Sequence, residues 1–143
     1  MKIASELLEQ IIAHAREEAP GECCGVVAVE LGSDGAPARG VRVQRAVNAA
    51  EEKYRPLRFE IEGLEVMKLL DSIEDDGFAL GSIYHSHTRT EPYPSQTDIN
   101  FAARWPGVEW IIVGLADPDR PEIRSYLIEE GIVREVEIGQ IAV

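Results

Sequence analysis

Cysteine, basic charge and long apolar runs are all scarce in this chain, and each shortage removes a class of function. Only two cysteines occur in 143 residues, and they are neighbours, Cys23 and Cys24. Adjacent cysteines cannot build the framework of bridges expected of a secreted domain. On a strand they would face opposite sides, which suits two small buried residues better than a redox pair. No stretch approaches the roughly 20 apolar residues that span a bilayer. Met1-Lys2-Ile3 leads into an acidic amphipathic segment without a signal-peptide core, so the expectation is a cytoplasmic protein with no membrane partner. With 14 basic against 26 acidic residues the formal charge is −12. That balance argues against nucleic acid and against an anionic lipid surface, and leaves a basic or neutral partner, or a small peptide end.

What is present is a globular composition, 45% hydrophobic, in a chain of ordinary single-domain length, and residues 1–143 are read as one domain. Leu7, Leu8, Ile11, Ile12 and Ala15 recur at helical spacing after Ser5, a candidate cap, and the segment stops at Pro20-Gly21. His14, beside its polar face, is read as solvated. Cys24 to Glu30 predicts a strand, followed by a turn through Gly32, Gly35 and Pro37, and Val41 to Val47 predicts a second strand with one wet face. Asn48 to Pro56 is a polar loop. Phe59 and Ile61 predict a short strand. Gly63 to Ile73 then carries Leu64, Met67, Leu70 and Ile73 on one helical face, with Met67 as core filler. Phe78 to Tyr84 predicts a buried strand, Ser95 to about Arg104 a short helix ended by Trp105-Pro106-Gly107, and Val108 to Leu115 a central strand. Glu122 to Glu129 and Ile132 to Ile138 complete the strands. Helix, strands, helix, strand, short helix and strands predict an α/β fold, a mixed sheet flanked by helices.

The densest chemistry lies in Tyr84 to Asp98, YHSHTRTEPYPSQTD. Residues two apart on a strand share a face, so His85 and His87 can converge on one point at the C-terminal end of their strand, where open α/β sheets place their sites. Ser95-Gln96-Thr97-Asp98 has the form of a capping box, and the proline-containing loop before it can return Asp98 to the histidines. Two imidazoles and a carboxylate suit zinc with a fourth position open to water. Taken singly, each part has a plainer explanation: a His-x-His is two polar residues leaving a strand, and Asp98 is an N3 residue favoured by the helix dipole. The conjunction is far more specific.

His85-Ser86-His87, seven residues, Ser95, two residues and Asp98 resembles, without departure, the His-Ser/Thr-His-x7-Ser-x2-Asp motif of the JAMM (MPN+) metalloproteases. The family also uses a glutamate near its first strand as general base. Glu22, in Pro20-Gly21-Glu22-Cys23-Cys24-Gly25, stands in the matching setting, although a glutamate there would otherwise read as an exposed turn residue. The resemblance extends over nearly the whole chain and is greatest to a bacterial branch acting on sulfur carriers. It implies a deaminase-like α/β fold, with zinc on His85, His87 and Asp98, Glu22 as the base and Ser95 as an oxyanion donor. Ser86, on the opposite face, is left with packing or supporting hydrogen bonds.

The implied reaction is hydrolysis of the amide bond after the C-terminal glycine of a ubiquitin-like sulfur-carrier protein with a Gly-Gly tail, releasing cysteine for cysteine biosynthesis. A broader isopeptidase that removes ubiquitin-like modifiers from lysines uses the same metal chemistry and is the alternative. A binding module that has lost its ligands is disfavoured because all five motif positions are intact. A zinc nucleoside deaminase would need His-x-Glu and Pro-Cys-x-x-Cys, which are absent. Other first-row divalent ions would fit the same donors. Tyr54 and Arg58 are weaker candidates for substrate contact, with ordinary surface packing the competing reading. The sequence is compatible with a monomer or a homodimer.

Overall fold

The computed structural model describes residues 1–141. Among them, eight strands form one mixed sheet: β1 (Lys2–Ala4), β2 (Cys24–Glu30), β3 (Arg39–Ala46), β4 (Ala79–His87), β5 (Glu109–Gly114), β6 (Glu122–Glu129), β7 (Ile132–Val136) and β8 (Gly139–Ile141). Their order across the sheet is β7-β6-β5-β4-β2-β3-β1-β8. Helices α1 (Ser5–Glu18), α2 (Gly63–Asp75) and α3 (Gln96–Ala102) connect and cover it. The predicted mixed sheet with flanking helices is therefore the observed architecture.

Strand β4 lies at the middle, antiparallel to β2 and parallel to β5. Both are apolar nearly throughout, as strands buried on two faces must be. Alternate residues of β2 divide between two cores. Cys23, Val27 and Tyr84 pack with Leu8, Ile11 and Ala15 of α1, whereas Cys24, Val26 and Ile83 pack with Phe59, Ile73 and Ala102 on the other side. Cys23 and Cys24 are both free and buried, facing the two layers as expected. Burial pushes the Cys23 thiol up to about 12 and raises Cys24 as well, so neither is a nucleophile at neutral pH.

Several expectations are corrected. His14 is not solvated: it is 3% exposed, and its Nδ1 hydrogen-bonds the Tyr84 hydroxyl at 2.7 Å. Three residues beyond Ile11, it belongs to the apolar stripe, and the tyrosine supplies the partner that a buried imidazole needs. Ser5 does not cap α1; the cap position is Ala4, with no side-chain bond, because residues 2–4 form β1, which pairs in parallel with β8. Leu64 and Met67 are 57% and 61% exposed. Leu70 and Ile73 face the sheet as expected, but the stripe is completed by Val66 and Leu69 rather than by Leu64 and Met67. Phe59 and Ile61 join no strand; they pack against the core from an extended segment.

Candidate metal centre

The metal-ligand candidates sit where β4 ends. Gly25 pairs with Tyr84 and Cys24 with His85 across the β2–β4 ladder. A Cβ on Gly25 would lie 2.3 Å from the tyrosine ring, so glycine lets Tyr84 lie flat across β2 toward α1. The two histidines then take the opposite face, where Phe59 stacks on His85 with ring centroids 4.6 Å apart. After His87 the chain turns tightly. Pro92 packs over Gly114, whose Cβ would meet it at 2.7 Å, and Tyr126 donates its hydroxyl to the Pro92 carbonyl. That anchoring returns the chain to start α3 beside the strand it left.

Ser95 caps α3 in a complete capping box. Its hydroxyl oxygen accepts from the Asp98 amide at 3.1 Å and Asp98 Oδ2 accepts from the Ser95 amide at 2.9 Å. The same Oδ2 is 3.1 Å from His85 Nε2 and 3.2 Å from His87 Nε2, and the two nitrogens are 3.1 Å apart. Tetrahedral donors on bonds of roughly 2.1 Å stand about 3.4 Å from one another, so the three atoms form a nearly ready triangle.

Protonation favours the same reading. His87 Nδ1 lies 3.0 Å from the Glu91 carbonyl, which can only accept, so that nitrogen carries the proton and Nε2 presents a lone pair. A neutral imidazole and a carboxylate would then oppose lone pairs unless a proton or a metal ion lies between them. His85 Nδ1 has no partner among the described residues. Full burial lowers the His85 pKa. Burial also works against charge on Asp98, yet the imidazoles and the Ser95 amide hold its carboxyl well below the usual range. The donor set thus fits a divalent ion, with nitrogen and oxygen chemistry suited to zinc.

Glu22 arrives from the segment just before β2. One of its carboxylate oxygens and one nitrogen of each histidine lie within 4.8 Å of one another. It is 5% exposed, and Oε1 is buried without a hydrogen-bond partner among the described residues. Burial pushes its carboxyl up to about 8, with the nearby His87 opposing and Asp98 adding to the rise. Glu22, His85 and His87 alone would also make a three-donor cluster. Asp98 is the stronger candidate for a third ligand because its oxygen contacts both nitrogens directly and its carboxyl is held ionised.

Main-chain bonds hold Glu22 from three sides. Its amide donates to Arg55 O at 2.7 Å, its carbonyl accepts from Asn48 Nδ2 at 3.0 Å, and the Cys23 amide donates to Ser86 Oγ at 2.8 Å. Ser86 therefore braces the main chain beside Glu22 and lies away from the histidine cluster, as its strand face predicted. Thr88 Oγ1 donates to Pro20 O at 3.0 Å, tying the chain beyond His87 to the turn before Glu22.

A cavity of about 320 Å³ opens beside Glu22, lined by Glu18, Gly21, Asn48, Glu52, Arg55 and Pro56 among others. Tyr54 and Arg58 are not in its wall. They engage each other, with the Arg58 guanidinium 4.4 Å from the Tyr54 ring centre. Asn48 and Arg55 were the residues that sequence reasoning missed in this loop. Neither belongs to a periodic or motif pattern that would single it out.

A mixed sheet presenting His-x-His, a capped aspartate and a buried glutamate around one point defines a metallopeptidase-like site. The chain belongs to the JAB (JAMM/MPN+) family of metal-dependent peptidases: residues 4–129 match the family described as prokaryotic homologs of the JAB domain. The chain is similar to the CysO-cysteine peptidase of Mycobacterium tuberculosis, at 35% identity over 139 residues, 97% of this chain and 90% of that protein. It is 34% identical to the desampylase of Haloferax volcanii over 116 residues, 78% of each chain. The solution structure of protein DSY2949 from Desulfitobacterium hafniense superposes with a TM-score of 0.84 at 28% identity, covering 98% of this chain and 92% of the other. Among the described residues no helix is long and apolar enough to cross a membrane.

Proposed function

We propose that this peptidase uses zinc, held by His85, His87 and Asp98, to hydrolyse the amide bond that joins cysteine to the C-terminal glycine of a ubiquitin-like sulfur-carrier protein. The reaction would release free cysteine and make the protein a step in cysteine biosynthesis. The observation that carries this reading is the similarity to CysO-cysteine peptidases over almost the entire chain. The five candidate residues Glu22, His85, His87, Ser95 and Asp98 support it by converging as the chemistry needs.

The bound ion would polarise the scissile carbonyl and lower the pKa of water to roughly 7. Glu22, its Oε1 without a partner among the described residues, takes the proton of the attacking water and then passes it to the leaving amine. A carboxyl pushed up to about 8 returns a proton readily near neutral pH, and an adjacent divalent charge draws it toward the ionised form that a base requires. Ser95 Oγ accepts from the Asp98 amide, which leaves its own proton free to donate to a developing oxyanion. An extended Gly-Gly tail suits such a site, because backbone hydrogen bonds along an added strand would bind it without bulky side chains.

Similarity to a desampylase keeps a second reading, cleavage of ubiquitin-like modifiers from lysine side chains. Intact mass separates the two. A Gly-Gly-tailed carrier bearing C-terminal cysteine and a lysine-linked conjugate of the same carrier are each incubated with the zinc-loaded protein, with and without chelator. Loss of cysteine from the first, only in the metal-replete sample and well ahead of the second, is the expected result. Cleavage of the lysine-linked conjugate alone would overturn the cysteine assignment.

A further inference from the structure

We infer that Asn48 is a positioning residue for the general base, holding the Glu22 peptide so that its carboxylate points at the metal centre. This inference rests on the reading of Glu22 as that base. Asn48 is 9% exposed, and its amide uses its full capacity of two donors and two acceptor lone pairs. Nδ2 donates to Glu22 O and to Arg58 O, both at 3.0 Å. Oδ1 accepts from the Ala50 amide at 3.0 Å and the Glu60 amide at 3.2 Å.

These bonds close a circuit around Glu22. The Glu22 amide donates to Arg55 O at 2.7 Å, and Arg55 Nε donates to Ala50 O at 2.9 Å. The Ala50 amide donates to Asn48 Oδ1, and Asn48 returns to the Glu22 carbonyl. One short loop therefore grips both polar groups of the Glu22 main chain, with Asn48 as the single side chain that joins loop to residue. The grip is needed where it stands. The β2–β4 ladder begins at Cys24, so its backbone pairing does not fix Glu22. With Oε1 unpaired among the described residues, the aim of the carboxylate depends on where the backbone sits. A misplacement of about 1 Å in a catalytic group can cost about 10²-fold in rate.

A residue acting through the base should lower kcat and leave substrate and metal binding alone. Asn48→Asp keeps the size and both acceptor contacts but replaces the donors with an oxygen facing two carbonyls. It should lower kcat about 10- to 100-fold, with KM within about twofold by the same reasoning and zinc at one per chain. The Glu22 amide should lose hydrogen-exchange protection, a readout independent of turnover. In a Glu22→Gln background the same change should cost nothing further, since the group it positions is already gone. Asn48→Ala, which removes the donors without adding charge, should behave alike.

An unchanged kcat with only KM or thermal stability altered would overturn the inference. So would equal losses in the wild-type and Glu22→Gln backgrounds, or failure of both Asn48 variants to fold. Wild-type turnover by Glu22→Gln itself would instead remove the base assignment. An inactive Glu22→Gln beside a fully active Asn48→Asp would remove only the positioning role.

Discussion

His85, His87 and Asp98 lie on one strand and the helix that directly follows it, whereas Glu22 comes from before a different strand and is held by a loop between β3 and α2. The first group is fixed by local rules. Strand alternation points both imidazoles the same way, and a capping box sets the carboxylate that meets them. The Glu22 side has no local rule: its geometry depends on Asn48, Arg55 and Ser86, remote in sequence, reaching its main chain. The two sides should therefore fail differently. Damage to the histidine side should release metal, and damage to the glutamate side should leave metal bound and slow the chemistry.

The largest effect is expected from Asp98→Ala. Removing the oxygen that both histidines contact, together with the N3 residue of α3, should give substoichiometric zinc and no measurable turnover, as read by metal analysis beside a peptidase assay. Stoichiometric zinc in that variant would shift the third ligand to Glu22. A smaller effect should follow Ser95→Ala, which lies between the two classes. Loss of an oxyanion donor should cost about 10²- to 10³-fold in kcat, and loss of the cap about 1 kcal/mol of stability. Ser95→Gly, which weakens the cap by only a few tenths of a kcal/mol, should show the same kcat loss and separate the roles.

The smallest effect concerns pH. Burial works against a charged His87, but Asp98 and the Glu91 carbonyl win and raise its pKa. The apo site therefore holds a proton that metal must displace, and zinc affinity should fall as pH drops, starting above the ordinary imidazole range. Chelator competition at several pH values should show a decline of about tenfold per unit where one proton is displaced. A pH-independent affinity would contradict the shared-proton picture.

The same divide explains what could be read from the sequence. The convergence of His85, His87 and Asp98, the capping box and the strands Cys24–Glu30 and Glu122–Glu129 were legible because strand period and cap chemistry are written within a few residues. The role of Asn48 was not, since it consists of bonds to segments on both sides that no spacing encodes. Strands β1 and β8 were missed for a related reason: each has three residues and becomes a strand by pairing with the other. In α2 the residues Leu64, Val66, Met67, Leu69, Leu70 and Ile73 supply more than one stripe of helical period, and contact with the sheet chooses among them. His14 was misjudged by polarity, because nothing near it in sequence announces the Tyr84 hydroxyl.

The most direct test is to measure zinc stoichiometry and turnover on the same preparation of Glu22→Gln. One zinc per chain with cysteine release from the carrier slowed about 10²- to 10⁴-fold is the predicted result, separating a base from the His85, His87 and Asp98 ligands. Loss of the zinc, or turnover at the wild-type rate, would contradict the account.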